Sequence, residues 1–139
     1  LKLSGYSWPQ FQDRLHAKKA QIFGAAWGAD YPDSENMLQL LYGPNESPGS
    51  NNANFKNKQY DADYLAASKL PPGPARDKLY VDMRNIFAKE LPWIPNAHRL
   101  GYYATHGWMV NFKPHKMIYG WQKYLKIDQA KKKELKGKL

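Results

Sequence analysis

A tryptophan, a tyrosine and two carboxylates lie within the seven residues WGADYPD, at positions 27–33. Trp27 follows an apolar run directly, and Asp30, Tyr31 and Asp33 come next. Two neighbouring carboxylates could serve acid–base chemistry or bind calcium, but calcium loops also need further oxygens at alternating positions and a bidentate glutamate, which this stretch lacks. A lone carboxylate beside aromatic rings is instead suited to an ammonium group, because the charge pairs with N–H donors while the rings exclude water.

The same residues also allow a purely structural interpretation, which their spacing leaves open. In that interpretation Trp27 belongs to the core and Asp30 caps a turn. Enzymatic alternatives have little support, because the sequence contains no nucleophile elbow, P-loop or dinucleotide fingerprint. The spacing of the four histidines, His16, His98, His106 and His115, fits no metal template. We therefore expect a protein that is not an enzyme and needs no metal or cofactor.

The elements that would position Asp30 read as β-α-β, the unit of an α/β sheet. Residues 1–7 alternate like a strand, and residues 20–27 (AQIFGAAW) form an apolar run of strand length. Between them, Pro9 at a first helical position and the spacing of Phe11 and Leu15 predict a short helix. Ligands of open α/β sheets bind beyond the carboxyl ends of strands, where Asp30 would lie.

Turns and helices are predicted after this point. Residues 31–34 form a turn, with Ser34 as the N-cap of a following helix. Residues 43–57 have the composition of a loop, and a loop of this length is usually functional or disordered. Apolar spacing predicts helices over residues 58–70 and 74–91, the second ended by Pro92. One or two strands at 93–105 and a short basic helix near the end of the chain complete the prediction.

Charge and composition bound the remaining possibilities. The 139 residues carry a net charge of +9 and no cysteine, and seven lysines face only two acidic residues in the segment 123–139. This segment is interpreted as a solvated helix, and the alternative is a module that binds nucleic acid or an anionic surface. No run approaches the length of a transmembrane helix, and no signal peptide is visible. The chain begins LKL rather than with methionine, so we expect it to be a fragment.

Five blocks of sequence, in order, carry a resemblance to a known family. They are the apolar run ending in WGADYPD, the Asn51-Asn52 loop, the segment NKQYD, the helix containing LYVDM and the stretch PWIP. Over about residues 1–125 the chain resembles the C-terminal part of the family 5 extracellular solute-binding proteins, the oligopeptide- and dipeptide-binding proteins of bacterial ABC importers.

The resemblance implies a two-lobed fold of the type II periplasmic-binding class that closes over a peptide and passes it to a membrane permease. It places residues 1–100 in the C-terminal lobe, with the ligand-facing edge, and residues 101–139 in a hinge return followed by a basic helix or tail. It implies a location in the periplasm or at the cell surface, with a lipid-anchored form allowed. No nucleic-acid partner is expected, and exposed sheet edges would favour dimerisation of a fragment.

The resemblance also assigns binding roles. Trp27 would lie along the peptide, and Asp30 would pair with its α-ammonium group. Tyr31 is included among the binding residues because its aromatic side chain flanks Asp30 in the sequence. Backbone groups around Ala26 and Gly28 would pair with the peptide as an added strand. A loop over the cleft would contribute Asn51 and Asn52.

Two departures leave the length of the ligand and the binding of its C-terminus open. Gly24 stands where some family members have an arginine, and residues 96–99 (NAHR) replace an aromatic cluster.

Overall fold

Helices provide most of the regular structure in the residues that the computed structural model describes, which are 2–115, 117 and 119–136. They are α1 (Trp8–His16), α2 (Glu35–Leu38), α3 (Lys58–Ala67), α4 (Pro74–Glu90) and α5 (Gln129–Leu135). Short 3-10 helices cover Gln39–Leu41, Gly43–Asn45 and Trp121–Tyr124, and the strands β1 (Met109–Val110) and β2 (Lys126–Ile127) pair antiparallel. The chain divides into two compact units, Leu1–Pro95 and Asn96–Leu139. It is thus a mixed helix–strand structure with few strands.

The first unit is built on the packing of α3 against α4. Tyr60 and Ala67 of α3, Met83 of α4 and Leu41 are buried in one apolar cluster. Partly buried apolar side chains surround this cluster: Leu38, Ala53, Phe55, Tyr64, Leu79, Tyr80, Ile86, Phe87 and Trp93. The Tyr60 hydroxyl donates a hydrogen bond of 2.8 Å to the carbonyl oxygen of Leu38, so the buried phenol keeps a polar partner.

The ends of α3 and α4 follow from local chemistry, and both predicted helices are confirmed to within a few residues. The side chain of Asn57 accepts hydrogen bonds from the N–H groups of Gln59 and Tyr60, which satisfies two free donors at the start of α3. At the end of α4, Leu91 adopts a left-handed conformation with φ of 46°, and Pro92 follows it.

The helix α1 is also confirmed. Pro9 lies in its first turn, and Leu15 on its inner face is buried. The side chain of Gln10 accepts a hydrogen bond of 3.2 Å from the Ser7 N–H. Lys18 follows the C-cap residue Ala17 and adopts a left-handed conformation with φ of 55°, which ends the helix.

The predicted strands at residues 1–7, 20–27 and 93–105 are wrong for the residues that the structure describes, since 2–7, 20–27 and 93–105 form no β-ladder. Their apolar side chains are largely exposed, with Leu3 at 87%, Ile22 at 81% and Leu100 at 80%. A strand satisfies its backbone groups through a neighbouring strand, and no described residue offers one here. Residue 1 lies outside the described residues.

The predicted loop, residues 43–57, is held in place by several contacts. The carboxylate of Glu46 accepts hydrogen bonds from the ammonium groups of Lys18 and Lys56. A β-bridge joins Glu46 to Asn51. A Cβ atom on Gly49 would lie 2.5 Å from the carbonyl oxygen of Asn45, so the backbone packs too closely there for a larger residue.

The second unit contains the strand pair and α5. Met109 pairs with Ile127, and the side chain of Asp128 accepts a hydrogen bond of 2.9 Å from the Lys131 N–H at the start of α5. The rings of His106 and Trp108 stack at 4.1 Å. The predicted short basic helix is confirmed as α5, whereas the last three residues of the predicted tail, 137–139, lie outside the described residues.

None of the helices in the described part of the chain is both long enough and apolar enough to cross a membrane.

Candidate functional site

A buried asparagine holds together the two residues from which the sequence argument began. The Oδ1 atom of Asn36 accepts a hydrogen bond of 3.1 Å from the indole Nε1–H of Trp27 and another of 3.1 Å from the backbone N–H of Asp30. Its Nδ2 group donates to Oδ2 of Asp30 at 3.4 Å. Asn36 itself is only 4% exposed.

The orientation of the Asn36 amide follows from its partners. An indole N–H and a backbone N–H are donors only, so the oxygen of Asn36 must face both of them. The NH₂ group is then directed toward the carboxylate of Asp30, which is an acceptor when ionised. One neutral side chain thereby fixes an aromatic ring, a backbone group and a carboxylate at the same time.

Trp27 and Asp30 are both exposed, although the residue that holds them is buried. Trp27 is 45% exposed, so it does not lie in the core of the described residues, where the structural interpretation placed it. The ring and the carboxylate lie at the surface of the first unit, where a ligand could contact both.

Tyr31 connects this surface to helix α3 through a shared carboxylate. The hydroxyl groups of Tyr31 and Tyr64 each donate a hydrogen bond to Glu35, the first residue of α2. The hydrogen bond to the carboxylate raises the pKa of Tyr31. Burial, followed by the same carboxylate, raises the pKa of Tyr64 above its usual value. Both phenols therefore remain protonated donors at neutral pH.

Asp33 connects the same turn to helix α4. Its Oδ1 accepts hydrogen bonds from the Glu35 N–H and the Tyr80 hydroxyl, both at 2.9 Å. Its Oδ2 accepts one of 2.6 Å from the guanidinium group of Arg76. The Glu35 N–H, and after it Arg76 and Tyr80, lower the pKa of Asp33 below its usual value.

Asp33 therefore serves the turn and its attachment to α4. It also replaces the predicted N-cap of α2, because the Ser34 side chain makes no capping hydrogen bond while Asp33 binds the first N–H of the helix.

The backbone before Trp27 forms no regular secondary structure, and most of its residues are exposed. No hydrogen bond joins the backbone of residues 20–29 to other described residues, and a Cβ atom on Gly28 would meet nothing within 4 Å. Ala26 is likewise exposed. The N–H and C=O groups of this segment therefore have no hydrogen-bond partner among the described residues, and the role of Ala26 and Gly28 stays a prediction.

Asn51 and Asn52 lie differently from the other predicted site residues. Asn51 is fully buried, and its amide group bonds to the backbone oxygens of Tyr42 and Phe55 and to the Phe55 N–H. Its side chain thus shapes the loop from inside. Asn52 is half-buried, and its Oδ1 has no hydrogen-bond partner in the structure.

A chain of contacts links this loop to the exposed residues. The amide of Asn51 binds the backbone oxygen of Tyr42, and the ring of Tyr42 stacks on Tyr64 at 4.5 Å. Tyr64 then shares Glu35 with Tyr31.

The sequence argument missed the residues that organise the site, namely Asn36, Glu35, Arg76 and Tyr80. Only the acidic and amide residues that follow the turn, in the stretch DSEN, offered a signal, because such side chains bond readily to nearby backbone groups. The partners on α4 are more than forty residues away, and no local pattern points to them.

Other chemistry finds little support in the described residues. No group of three or more histidine, aspartate or glutamate side chains among them could hold a metal ion. The lysines of α5 are exposed. A solvated helix and a binder of anionic surfaces both require such exposure, so it does not distinguish the two interpretations.

Comparison with known proteins gives several relatives in sequence. Heme-binding protein A of Haemophilus influenzae is 35% identical over 99 residues, which cover 70% of this chain and 18% of that protein. A dipeptide-binding protein of Pseudomonas aeruginosa is 28% identical over 125 residues, covering 86% of this chain and 23% of that protein. The glutathione-binding protein GsiB of Salmonella typhimurium is 32% identical over 77 residues, covering 54% of this chain and 15% of that protein.

These relatives are all named as proteins that bind small solutes. The resemblance to the family 5 extracellular solute-binding proteins is thereby confirmed, and this chain is a sequence relative of that family. The chain spans between 15% and 23% of the length of these relatives. No family model matches the chain, and no solved structure gives a significant match.

Proposed function

We propose that this chain is part of the solute-binding component of a bacterial ABC importer and that the whole protein binds peptides. In this proposal the chain supplies part of the C-terminal lobe, and the ligand lies in a cleft between two lobes. The permease of the importer is its membrane partner, and the periplasm or the cell surface is its location. The protein binds and releases its ligand without chemical change.

The observation that carries the proposal is the exposed pair of Trp27 and Asp30, held by Asn36 at the end of a segment whose backbone makes no hydrogen bond to other described residues. Such a segment can accept a peptide as an added strand, which binds its backbone without regard to sequence. Asp30 then pairs with the α-ammonium group of the peptide, and the Trp27 ring covers the adjacent residue.

The other predicted binding residues take defined places in this proposal. Ala26 and Gly28 contribute backbone groups, and Tyr31 contributes an exposed ring beside the carboxylate. The side chain of Asn51 bonds to backbone groups, so it would hold the loop in shape and not contact the ligand. Asn52 would contact the ligand through its half-buried amide.

The experiment uses the full-length protein and the variant Asp30→Asn, which keeps the size of the side chain and removes its charge. Calorimetry compares a free dipeptide or tripeptide with its N-acetylated form. A hydrogen bond between charged groups contributes about 1.5–3 kcal/mol, so the variant should bind the free peptide about 10- to 150-fold more weakly. The affinity for the acetylated peptide, which lacks the ammonium group, should change little.

Asp77→Asn, an exposed carboxylate in the first turn of α4, is the matched control and should leave both affinities unchanged. Equal losses for free and acetylated peptides in Asp30→Asn would remove Asp30 from this role. Tight binding of heme that is unaffected by Asp30→Asn, with no measurable peptide binding, would overturn the peptide proposal.

A further inference from the structure

We propose that Asn36 is a positioning residue for ligand recognition, which sets the Trp27 ring and the Asp30 carboxylate in place before the ligand arrives. This inference rests on the proposed binding of an ammonium group by Asp30. Asn36 does not contact the ligand in this proposal, because its side chain is buried behind the two residues that do.

The contacts of Asn36 account for both halves of this role. Its oxygen accepts from the Trp27 indole and from the Asp30 N–H at the same distance of 3.1 Å, so it uses both of its acceptor sites. The Asp30 backbone and side chain are both bound by this one amide, which restricts the directions that the carboxylate can take. Restricting an exposed side chain beforehand removes part of the ordering cost from ligand binding.

The amide of Asn36 also differs from a basic side chain in what it can bind. A lysine or arginine at residue 36 would carry donors only, so it could not accept from the Trp27 indole or from the Asp30 N–H. The amide supplies an acceptor and a donor together, so one side chain holds the ring, the backbone group and the carboxylate.

The residues on either side fix Asn36 itself. Glu35 is bound by Tyr64 of α3, and Asp33 is bound by Arg76 of α4. The short helix that carries Asn36 is therefore fastened to both helices of the apolar core, and the amide is presented from a rigid base.

The test is a double-mutant cycle in the full-length protein, with Asn36→Ala and Asp30→Asn made singly and together. We expect Asn36→Ala to weaken the binding of a free peptide by about tenfold. In the Asp30→Asn background the same change should weaken binding by less than about twofold. An N-acetylated peptide should show a smaller loss in both backgrounds, because it lacks the contact with Asp30 and keeps only the contact with Trp27.

Asn57→Ala is the matched control. It removes an asparagine that caps α3 and so lowers stability without touching Trp27 or Asp30. It should leave the affinity of the free peptide within about twofold, which separates positioning from general loss of stability.

A second measurement needs no substitution at Asn36. In the ligand-free wild-type protein, NMR should show that the Trp27 indole hydrogen exchanges with solvent at least tenfold more slowly than a free indole, because it is already bound. The resonance is assigned by its loss in Trp27→Phe. Exchange at the free rate would overturn the inference.

The two proposals fail in different ways. If Asp30→Asn leaves peptide affinity unchanged, the proposed role of Asp30 fails. If Asp30→Asn weakens binding while Asn36→Ala has no effect, or has an equal effect in both backgrounds and with both ligands, the positioning role of Asn36 is wrong and the role of Asp30 stands.

Discussion

The replacement Asp33→Asn tests whether the turn that carries the candidate site is fastened to helix α4 by charge. An asparagine in the same rotamer keeps the Oδ1 acceptor for the Glu35 N–H and the Tyr80 hydroxyl. It puts an NH₂ group in place of the Oδ2 atom that accepts from Arg76 at 2.6 Å, so two donors would face each other. The substitution thus removes the charged hydrogen bond with Arg76 and sets an N–H donor against its guanidinium group.

The size of the effect follows from the surroundings of this ion pair. A hydrogen bond to a charged group contributes about 1.5–3 kcal/mol, but the Asp33 side chain is 30% exposed and water screens part of that energy. We expect local opening of the turn and α2 to become easier by about 1–2 kcal/mol, which is about a 5- to 30-fold faster exchange of amide hydrogens. Hydrogen exchange with mass spectrometry on peptides covering residues 33–42 of the full-length protein measures it.

The same change in another ion pair of α4 provides the control. Lys78 and Asp82 lie one turn apart on its exposed side, with their charged groups 2.6 Å from each other. Exposed pairs of this kind contribute little to stability, so Asp82→Asn should change exchange by less than about threefold. If Asp33→Asn has no larger effect than Asp82→Asn, the ion pair with Arg76 does not hold the turn.

The pH dependence of hydrogen exchange provides a second test of the Asp33 ion pair. The Glu35 N–H, Arg76 and Tyr80 hold the pKa of folded Asp33 below its ordinary value of 3.8. A lowered pKa stabilises the folded state fully above the unfolded value, and this contribution is lost as the pH falls through the folded value. The difference in protection between wild type and Asp33→Asn should therefore be constant above about pH 5 and disappear well below pH 4, after correction for intrinsic exchange. A difference that persists at the lowest pH would show that the charge of Asp33 is not its cause.

Two further predictions concern packing. Met83→Ala removes a fully buried side chain and should lower the opening free energy of α3 and α4 by about 2–5 kcal/mol. Val81→Ala, on the exposed side of α4, should change it by less than about 1 kcal/mol. Equal effects of the two substitutions would contradict the assigned core. Gly49→Ala places a Cβ atom 2.5 Å from the Asn45 backbone oxygen and should lower the free energy of unfolding by about 1–3 kcal/mol. The control is Gly24→Ala, whose Cβ atom would meet nothing within 4 Å and should leave the free energy of unfolding nearly unchanged. An unchanged urea midpoint for Gly49→Ala would refute the close approach.

The helices were predictable because their determinants are local. The buried residues Tyr60 and Ala67 are two turns apart on α3, and the spacing alone indicates that they share a face. The start of α3 at Asn57 and the end of α4 at Pro92 also depend on residues adjacent in the sequence. Backbone hydrogen bonds within a helix join residues four apart, so such a segment carries most of the information that it needs.

The strands were not predictable in this way, because a strand depends on a partner that its own sequence does not specify. Residues 20–27 have the apolar composition of a strand, but their backbone is unpaired within the described part of the chain. The antiparallel pair that does form, β1 with β2, is only two residues long on each side and has no clear apolar alternation. Apolar composition indicates which segments could form a strand, but a segment becomes a strand only where a second segment pairs with it.

In the candidate site, too, some features depend on local contacts and others would depend on a partner elsewhere. The side chains are arranged by contacts over short stretches of sequence, since Asn36 is six residues from Asp30 and nine from Trp27. The backbone at Ala26 and Gly28, in contrast, makes no hydrogen bond to other described residues, so no contact within them arranges it for a ligand. Recognition of an ammonium group and pairing with a peptide backbone are therefore physically separate under the proposed function. N-acetylation of a peptide should abolish the first and leave the second intact, so the acetylated peptide measures what the backbone contributes alone.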